Sequence, residues 1–225
     1  MLEFQNVSLA GLKDKHLDEI NFKISQSENV VIPNWSVEYD VFFMAILRMK
    51  KTVVSGKIFF EGKDIQEKNR ESLLRYRRKI GYVPIYKGLL KNLTVQENIL
   101  LPMQIMENYN EKQMFERFDE LKDFFLKDIN CDMTASALSA EEEKRTMLAR
   151  AVAASPKLLL LNCPFLGIEL KFKDNISSLI HEAIFCRKLL PQDSAVILST
   201  EYSSLAGIGK DDKFREFSLT TLSEN

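Results

Sequence analysis

The sequence predicts an α/β fold with a mostly parallel core sheet covered by helices. Short apolar runs typical of buried strands alternate with segments of helical periodicity, the order that joins parallel strands through helices. The buried strands are predicted at 30–32, 80–83, 158–161 and 195–198. A long stretch, about 85–155, is almost entirely helical, and we interpret it as an insertion between two core strands. We therefore expect one domain over 1–225, with its core in about 1–84 and 156–225.

The N-terminal part predicts an antiparallel sheet beside this core. Residues 2–9 and 20–24 alternate apolar and polar side chains, as half-buried strands do. Gly56 opens the segment KIFFEGKDI, which turns at Glu61-Gly62 and is typical of a hairpin.

Helices are predicted where apolar residues recur at helical spacing or where a helix start signal stands. Thr94 with Glu97 three residues later is a capping box, and Ser139 immediately precedes another helix. The predicted helices are 41–49, 71–79, 94–101, 111–129, 141–154 and 176–190.

Composition excludes several classes of partner. The chain has 31 basic and 32 acidic residues and a net charge of −1, so nothing draws it over long range to nucleic acid or to an anionic membrane. For this reason we expect no nucleic-acid partner. No apolar stretch approaches the roughly 20 residues that span a bilayer, so we also expect no direct membrane insertion. The three cysteines, Cys131, Cys163 and Cys186, indicate neither a disulfide framework nor a zinc site, which fits a reducing cytoplasmic setting.

The histidines do not predict a metal site or a catalytic base. His16 and His181 are the two in the chain, and neither has a metal-ligand spacing. Cys186 lies five residues after His181 on a predicted helix, rather than the four that would bring the side chains onto one face. We expect structural or surface histidines and no metal.

Five segments, in one order and at one spacing, resemble the ATP-binding cassette (ABC) ATPases of membrane transporters. The resemblance runs from Met1 to about Ser204. Residues 27–32 resemble the strand before the phosphate loop, 55–65 the second hairpin, 80–83 with 93–99 the glutamine-loop region, 138–151 the signature helix, and 156–164 the Walker B strand. The resemblance implies a P-loop NTPase-like nucleotide-binding domain: a mostly parallel core, an antiparallel N-terminal β subdomain and a helical subdomain.

The phosphate loop of that family is replaced in this chain. Such a loop needs glycines for close backbone approach, a lysine for the phosphates and a hydroxyl for Mg²⁺. The family places its lysine sixteen residues before the hairpin glycine, which is Asp40 here, and the Mg²⁺ ligand is then Val41. Residues 25–55 contain no glycine, and the glycine positions hold Asn34, Val37 and Tyr39. Loss of the lysine removes an attraction to the phosphates, and the aspartate adds a repulsion. At ~4 Å and an effective dielectric near 20, each of these is worth about 4 kcal/mol.

The other catalytic positions implied by the resemblance are replaced too. The glutamine is Ile85, the Walker B aspartate is Asn162, the general-base glutamate is Cys163, and the switch histidine is Glu201. The signature keeps Ser139 but has Ala140 and Glu141 at its glycines. We therefore expect a non-catalytic pseudo-ATPase with no cofactor of its own, in which Ser139 alone could face ATP held by a partner.

The resemblance implies two partners: a second cassette, which is either a competent one or another copy of this chain, and an integral-membrane permease. Docking would hold the chain at the cytoplasmic face of the inner membrane, and residues 93–102 resemble lipid-export cassettes most. The predicted docking residues are Ile85, Tyr86, Leu89, Leu90, Leu93 and Leu101. A core role for these residues is an equal alternative. Two other functions stay open: a soluble interaction or regulatory module, and an ATPase of altered nucleotide use.

Overall fold

The computed structural model describes residues 1–10, 16–36, 39–48, 52–66, 70–106, 109–201 and 214–219. Two β-sheets and six α-helices make up these parts of the chain. Val37, which the sequence analysis places at a glycine position of the phosphate loop, lies outside the described residues.

The N-terminal sheet is antiparallel, as predicted. It has the order β2-β1-β4-β5, with strands β1 (Leu2–Ala10), β2 (His16–Ile24), β4 (Val53–Phe60) and β5 (Lys63–Asp64). Gly56 lies where β4 passes β1, at φ 81°, and a Cβ there would come within 2.3 Å of the Asn6 carbonyl oxygen. Only glycine combines that backbone angle with so close an approach.

The second sheet is wholly parallel and holds the predicted core strands. Its order is β6-β7-β8-β3-β9, with strands β3 (Asn29–Ile32), β6 (Ile80–Val83), β7 (Leu158–Asn162), β8 (Ala195–Ser199) and β9 (Phe214–Glu216). Strand β9 was not predicted, because its three residues are mostly exposed and carry no apolar pattern. It forms by backbone pairing with the edge of β3.

The helices follow the predicted order. They are α1 (Asp40–Leu47), α2 (Arg70–Arg77), α3 (Val95–Gln104), α4 (Glu111–Phe125), α5 (Ala140–Ala153) and α6 (Leu170–Ile180). A 3₁₀ helix spans Ala135–Ala137 and a π-helix spans His181–Phe185. The prediction of a helix over 176–190 was wrong at both ends. The first turn of α6 has an exposed face, with Leu170 80% exposed, so no apolar stripe indicates its start.

Both faces of the parallel sheet are buried. Alternate residues of β7 point to opposite sides: Leu159 and Leu161 belong to the apolar cluster that includes α3, α4 and α5, whereas Leu158 and Leu160 belong to the cluster with α1 and the N-terminal sheet. The α/β fold class is therefore confirmed. Within the described residues, no helix has both the length and the apolar character needed to cross a bilayer.

Candidate functional site

The predicted site residues converge at one edge of the parallel sheet. Strands β7, β8 and β3 are neighbours and run in the same direction, so their carboxyl ends lie side by side. Asn162 ends β7, Ser199 ends β8, and Asp40 begins α1, the first helix after β3. Ligands of open α/β sheets bind at this edge.

A continuous chain of hydrogen bonds joins these strand ends. The Asn162 side-chain amide donates to Asp40 Oδ1 at 2.7 Å, and Asn162 Oδ1 accepts from Ser199 Oγ at 2.8 Å. Ser199 Oγ in turn accepts from the backbone amide of Cys163 at 3.0 Å. Tyr82 Oη lies 3.5 Å from the Asn162 amide nitrogen, and burial raises the pKa of its phenol. Burial is almost complete for Asn162, Cys163 and Ser199. Their polar groups therefore need hydrogen-bond partners within the protein.

Asp40 places a carboxylate at the N-terminus of α1. The first N–H groups of a helix carry partial positive charge and favour an anion there. Tyr39, the N-cap, makes no side-chain capping bond, and Asp40 is the acidic residue of the first turn. Asp40, which the sequence analysis assigns to the lysine position of the phosphate loop, thus brings an acidic side chain of the chain itself to this end of the helix.

The sequence analysis assigns Val41 and Asn34 to the Mg²⁺ ligand and to a glycine of the phosphate loop, and the structure describes both residues. Val41 is 4% exposed and has no oxygen to offer a metal. Asn34 adopts φ 53°, the left-handed region usually left to glycine or asparagine. The Trp35 backbone amide donates to the Thr200 carbonyl at 2.8 Å, which ties this loop to the end of β8.

Cys163 and Glu201 are the residues that the sequence analysis assigns to the general-base and switch-histidine positions. Burial raises the pKa of the Cys163 thiol to about 12, so the thiol stays protonated at neutral pH and cannot accept a proton from water. Glu201 forms an ion pair with Lys173 at 3.7 Å, and both side chains are about one-fifth exposed.

Ile85, which the sequence analysis assigns to the glutamine position, is buried, and its backbone carbonyl binds a residue that the sequence analysis missed. Lys144 of α5 donates from Nζ to the carbonyl oxygens of Ile85 at 2.8 Å and Pro84 at 3.3 Å. Lys144 is 5% exposed, and burial lowers its pKa to about 8, although Cys163, Glu143 and Glu201 oppose that change. Lys144 follows three consecutive glutamates in the sequence, a pattern that does not predict a buried side chain.

The signature residues divide into an exposed and a folded-back part. Ser139 is exposed, and it caps α5 by accepting the Glu142 amide at 3.3 Å in a full capping box. Glu141 turns back instead: its Oε1 accepts from Asn175 of α6 at 2.9 Å and lies 3.4 Å from Arg145. Its charge is thus partly compensated within the chain.

A cleft of about 830 Å³ opens beside the site, and the predicted docking residues divide over it. Ile85, Tyr86 and Leu101 line the cleft, together with Asp40 and Asn162 at its inner end. Leu89 is 5% exposed and belongs to the core, so its assignment to a docking surface was wrong. Leu90 and Leu93 are not among the lining residues.

The mouth of the cleft is apolar with a basic margin. Tyr86 and Ile105 are exposed by 65% and 52%, and Leu74 by 44%. Four cationic residues, Arg77, Arg78, Lys87 and Arg150, line the same cleft, against the one acidic residue Asp40.

Sequence reasoning assigned the site positions but not the contacts that connect them. Ser199 lies two residues before Glu201 and was given no role, and Tyr82 was taken only as part of a strand. Both side chains point from strand ends toward Asn162, and the sheet order that makes them neighbours is not readable in the sequence.

Comparisons with known proteins agree with this fold. Residues 41–165 match the family model described as ABC transporter. The chain is 31% identical over 176 residues to the lipopolysaccharide export system ATP-binding protein LptB of Haemophilus influenzae, which covers 75% of this chain and 69% of that protein. It is 26% identical over 164 residues to the methionine import ATP-binding protein MetN 1 of Staphylococcus epidermidis, over 71% of this chain and 48% of that one.

Solved structures show the same architecture. A dimeric post-hydrolysis structure of the ATP-binding cassette MJ0796, bound to ADP and Pi, superposes with a TM-score of 0.77 at 20% identity, over 97% of this chain and 94% of that one. CbiO1 of Clostridium perfringens, part of an ABC transporter complex, gives 0.70 at 22% identity, over 88% and 77%. Family model, relatives and fold agree, and the chain belongs to the ABC transporter family.

Proposed function

We propose that this chain is a non-catalytic cassette subunit that serves a transporter as a scaffold. The observation that carries the proposal is the hydrogen bond of Asp40 to Asn162 at the phosphate position. The Asp40 carboxylate and the Asn162 amide bind each other at this position, whereas in a working cassette nucleotide and metal would bind there.

The residues at this position do not fit a magnesium triphosphate. Asp40 would repel the phosphates where a lysine would attract them, and each of the two changes is worth about 4 kcal/mol at ~4 Å and an effective dielectric near 20. Buried Val41 offers Mg²⁺ no ligand, and the neutral Asn162 replaces a carboxylate. Phosphate binding would also have to displace a carboxylate that is already hydrogen-bonded and placed at the helix N-terminus.

Catalysis meets a second obstacle at the water-activating position. A general base needs a pKa near the working pH. Burial raises the pKa of Cys163 to about 12, and the Cys163 amide is bound by Ser199. Loss of both the phosphate site and the base supports a pseudo-ATPase over an ATPase of altered mechanism.

The scaffold role is supported by the cleft and its charges. Its exposed apolar mouth and its margin of four cations complement an amphipathic helix with acidic residues. We infer that such a helix of a permease docks here, on Tyr86, Ile105 and Leu101. This docking would hold the chain at the cytoplasmic face of the membrane without insertion.

The partner cassette and the cargo class rest on the relatives. MJ0796 is described as dimeric, so we infer that this chain also pairs, and exposed Ser139 is the residue left to contact nucleotide held by a competent partner. LptB serves lipopolysaccharide export, and this supports a lipid as cargo.

Nucleotide binding by the purified chain tests the catalytic part of the proposal. We expect no heat of binding and no change in melting temperature with 1 mM MgATP, and no phosphate release. A site with a dissociation constant near 10 μM would raise the free energy of unfolding by about 2.7 kcal/mol under those conditions. Micromolar binding together with turnover would instead favour the altered ATPase.

Docking is tested separately with charge insertions on two exposed apolar residues. Ile105→Asp places an acid in the cleft mouth, whereas Phe115→Asp makes the same change on α4, outside the residues that line the cleft. From detergent-solubilised membranes of the source cells, wild type and Phe115→Asp should co-purify with one permease, identified by mass spectrometry, and Ile105→Asp should not. Failure of all three proteins to retain a permease would favour the soluble regulatory module.

A further inference from the structure

A thiol and an imidazole meet on the surface just after α6. The π-helix His181–Phe185 closes with a hydrogen bond from the Cys186 amide to the His181 carbonyl at 2.8 Å. In an α-helix, residues five apart are displaced by roughly 140° around the axis. The wider π turn, with its i→i+5 bond, brings them onto one face. Cys186 Sγ accordingly lies 3.5 Å from His181 Nε2. The sequence prediction that this spacing keeps the pair apart was wrong, because it assumed an α-helix.

The surroundings of this pair differ from those of the other cysteines. Cys186 is exposed, whereas Cys131 and Cys163 are buried, and burial raises the pKa of both buried thiols. The two cations that follow in the chain are engaged with other groups: Lys188 pairs with Glu182 at 2.6 Å, and Arg187 donates to Asn29 Oδ1 at 3.1 Å. An exposed thiol with a base in contact has the features of a reactive cysteine.

We propose that Cys186 and His181 form a reactive thiol–imidazole pair, a modification site for small disulfides. His181 accepts the proton of the thiol, and Cys186 Sγ attacks one sulfur of the disulfide. The Cys186–sulfur bond forms while the disulfide bond breaks, and the departing thiolate takes the proton from the imidazole. The disulfide is the oxidant, and the products are a mixed disulfide on Cys186 and one free small thiol.

This site uses neither the Asp40–Asn162 hydrogen bond nor the cleft residues. The thiol–imidazole proposal is therefore tested independently of the scaffold proposal. A π-helix is rare and recurs at functional sites. Here it has a specific consequence, since it creates the contact between nucleophile and base that a regular helix would remove.

The test measures the second-order rate of native protein with an uncharged aromatic disulfide, 2,2′-dithiodipyridine, at pH 7. One thiol should react in native wild type, peptide mapping should place the label on Cys186, and Cys186→Ser should abolish the reaction. His181→Asn should slow the reaction roughly a hundredfold or more, the low end of what a positioned general base contributes. Lys188→Gln, the control in the same segment, keeps the base and should leave the rate unchanged with this neutral reagent.

The pH profile separates chemistry from mere exposure. In wild type the logarithm of the rate should rise less steeply with pH than in His181→Asn, because only wild type has a base in contact with the thiol. His181→Gln repeats the test in case the asparagine variant unfolds, which circular dichroism would reveal. Equal rates and equal slopes for wild type and a folded His181 variant, or first labelling at Cys131 or Cys163, would overturn the proposal.

Discussion

At the scale of single residues, Asp40 and Asn162 complement each other in the site. The sequence analysis assigns them to the lysine and aspartate positions of the family, and the Asn162 amide donates to the Asp40 carboxylate at 2.7 Å. Either family residue alone would break this bond. The bond gives the buried Asn162 amide a partner, and a buried polar group without one costs about 1–3 kcal/mol.

Asn162→Asp therefore should destabilise the protein, although it restores the family residue. At neutral pH the new carboxylate faces Asp40, and the donor to Asp40 is lost. We expect the free energy of unfolding to fall by about 1–3 kcal/mol, as for removal of one partner of a buried hydrogen bond. Urea denaturation at pH 7 measures the change, and it should shrink as the pH falls, because one of the two carboxylates takes a proton.

The double variant Asp40→Lys/Asn162→Asp provides the control. Opposite charges then face each other, so its loss of stability should be smaller than the sum of the two single losses. Strict additivity would show that the two side chains do not interact in solution.

Lys144 gives a second prediction at this scale. Its folded-state pKa is lowered from 10.5 to about 8, so the unfolded chain binds more protons between those pH values. The free energy of unfolding should therefore gain, from this group, up to about 3 kcal/mol as the pH rises through that window. Lys144→Met should lose this gain, as chemical denaturation from pH 7.5 to 9.5 would show.

Other groups act in the opposite direction, so the difference between the two proteins is the relevant quantity. Cys163, with its pKa raised to about 12, and buried Tyr76, with its pKa also raised, keep their protons in the folded state and lower stability as pH rises. Wild type minus Lys144→Met cancels these contributions. Parallel pH curves would show that Lys144 is not buried as a cation.

At the scale of elements, the start of α5 depends on the signature serine. Ser139 Oγ accepts the Glu142 amide, and Glu142 returns a bond to the Ser139 amide at 2.8 Å. Ser139→Ala should cost about 1 kcal/mol of stability, the usual cost of losing such a cap. Thermal denaturation measures it, with Ser178→Ala as control, because exposed Ser178 lies within α6 and should change stability by less than about 0.5 kcal/mol.

At the scale of the whole molecule, β7 connects the two apolar clusters through its two faces. Leu160 and Leu161 are both 0% exposed, and they lie in different clusters. Leu160→Ala and Leu161→Ala should each cost about 2–5 kcal/mol. Because one sheet carries both clusters, each variant should lower the midpoint of the same single calorimetric transition. Separate transitions, each sensitive to one variant, would contradict this coupling.

The sequence by itself determined the order of the predicted strands and helices and the capping box at Thr94, and it predicted the replacement of the family residues. These features are local: periodicity, β-branched runs and short motifs act over a few neighbouring residues. The fold class followed because buried strands that alternate with helices leave few arrangements.

Only the tertiary structure decided what those positions do together. Asp40, Asn162 and Ser199 meet because β3, β7 and β8 are neighbours in the sheet, although the three residues are far apart in the chain. Likewise, Lys144 is buried because its ammonium donates to the carbonyls of Pro84 and Ile85. Cys186 contacts His181 because the π-helix bonds residues five apart rather than four. Contacts of this kind depend on the order of strands in the sheet and on the local pitch of the helix. Local patterns of residue type predict neither of these.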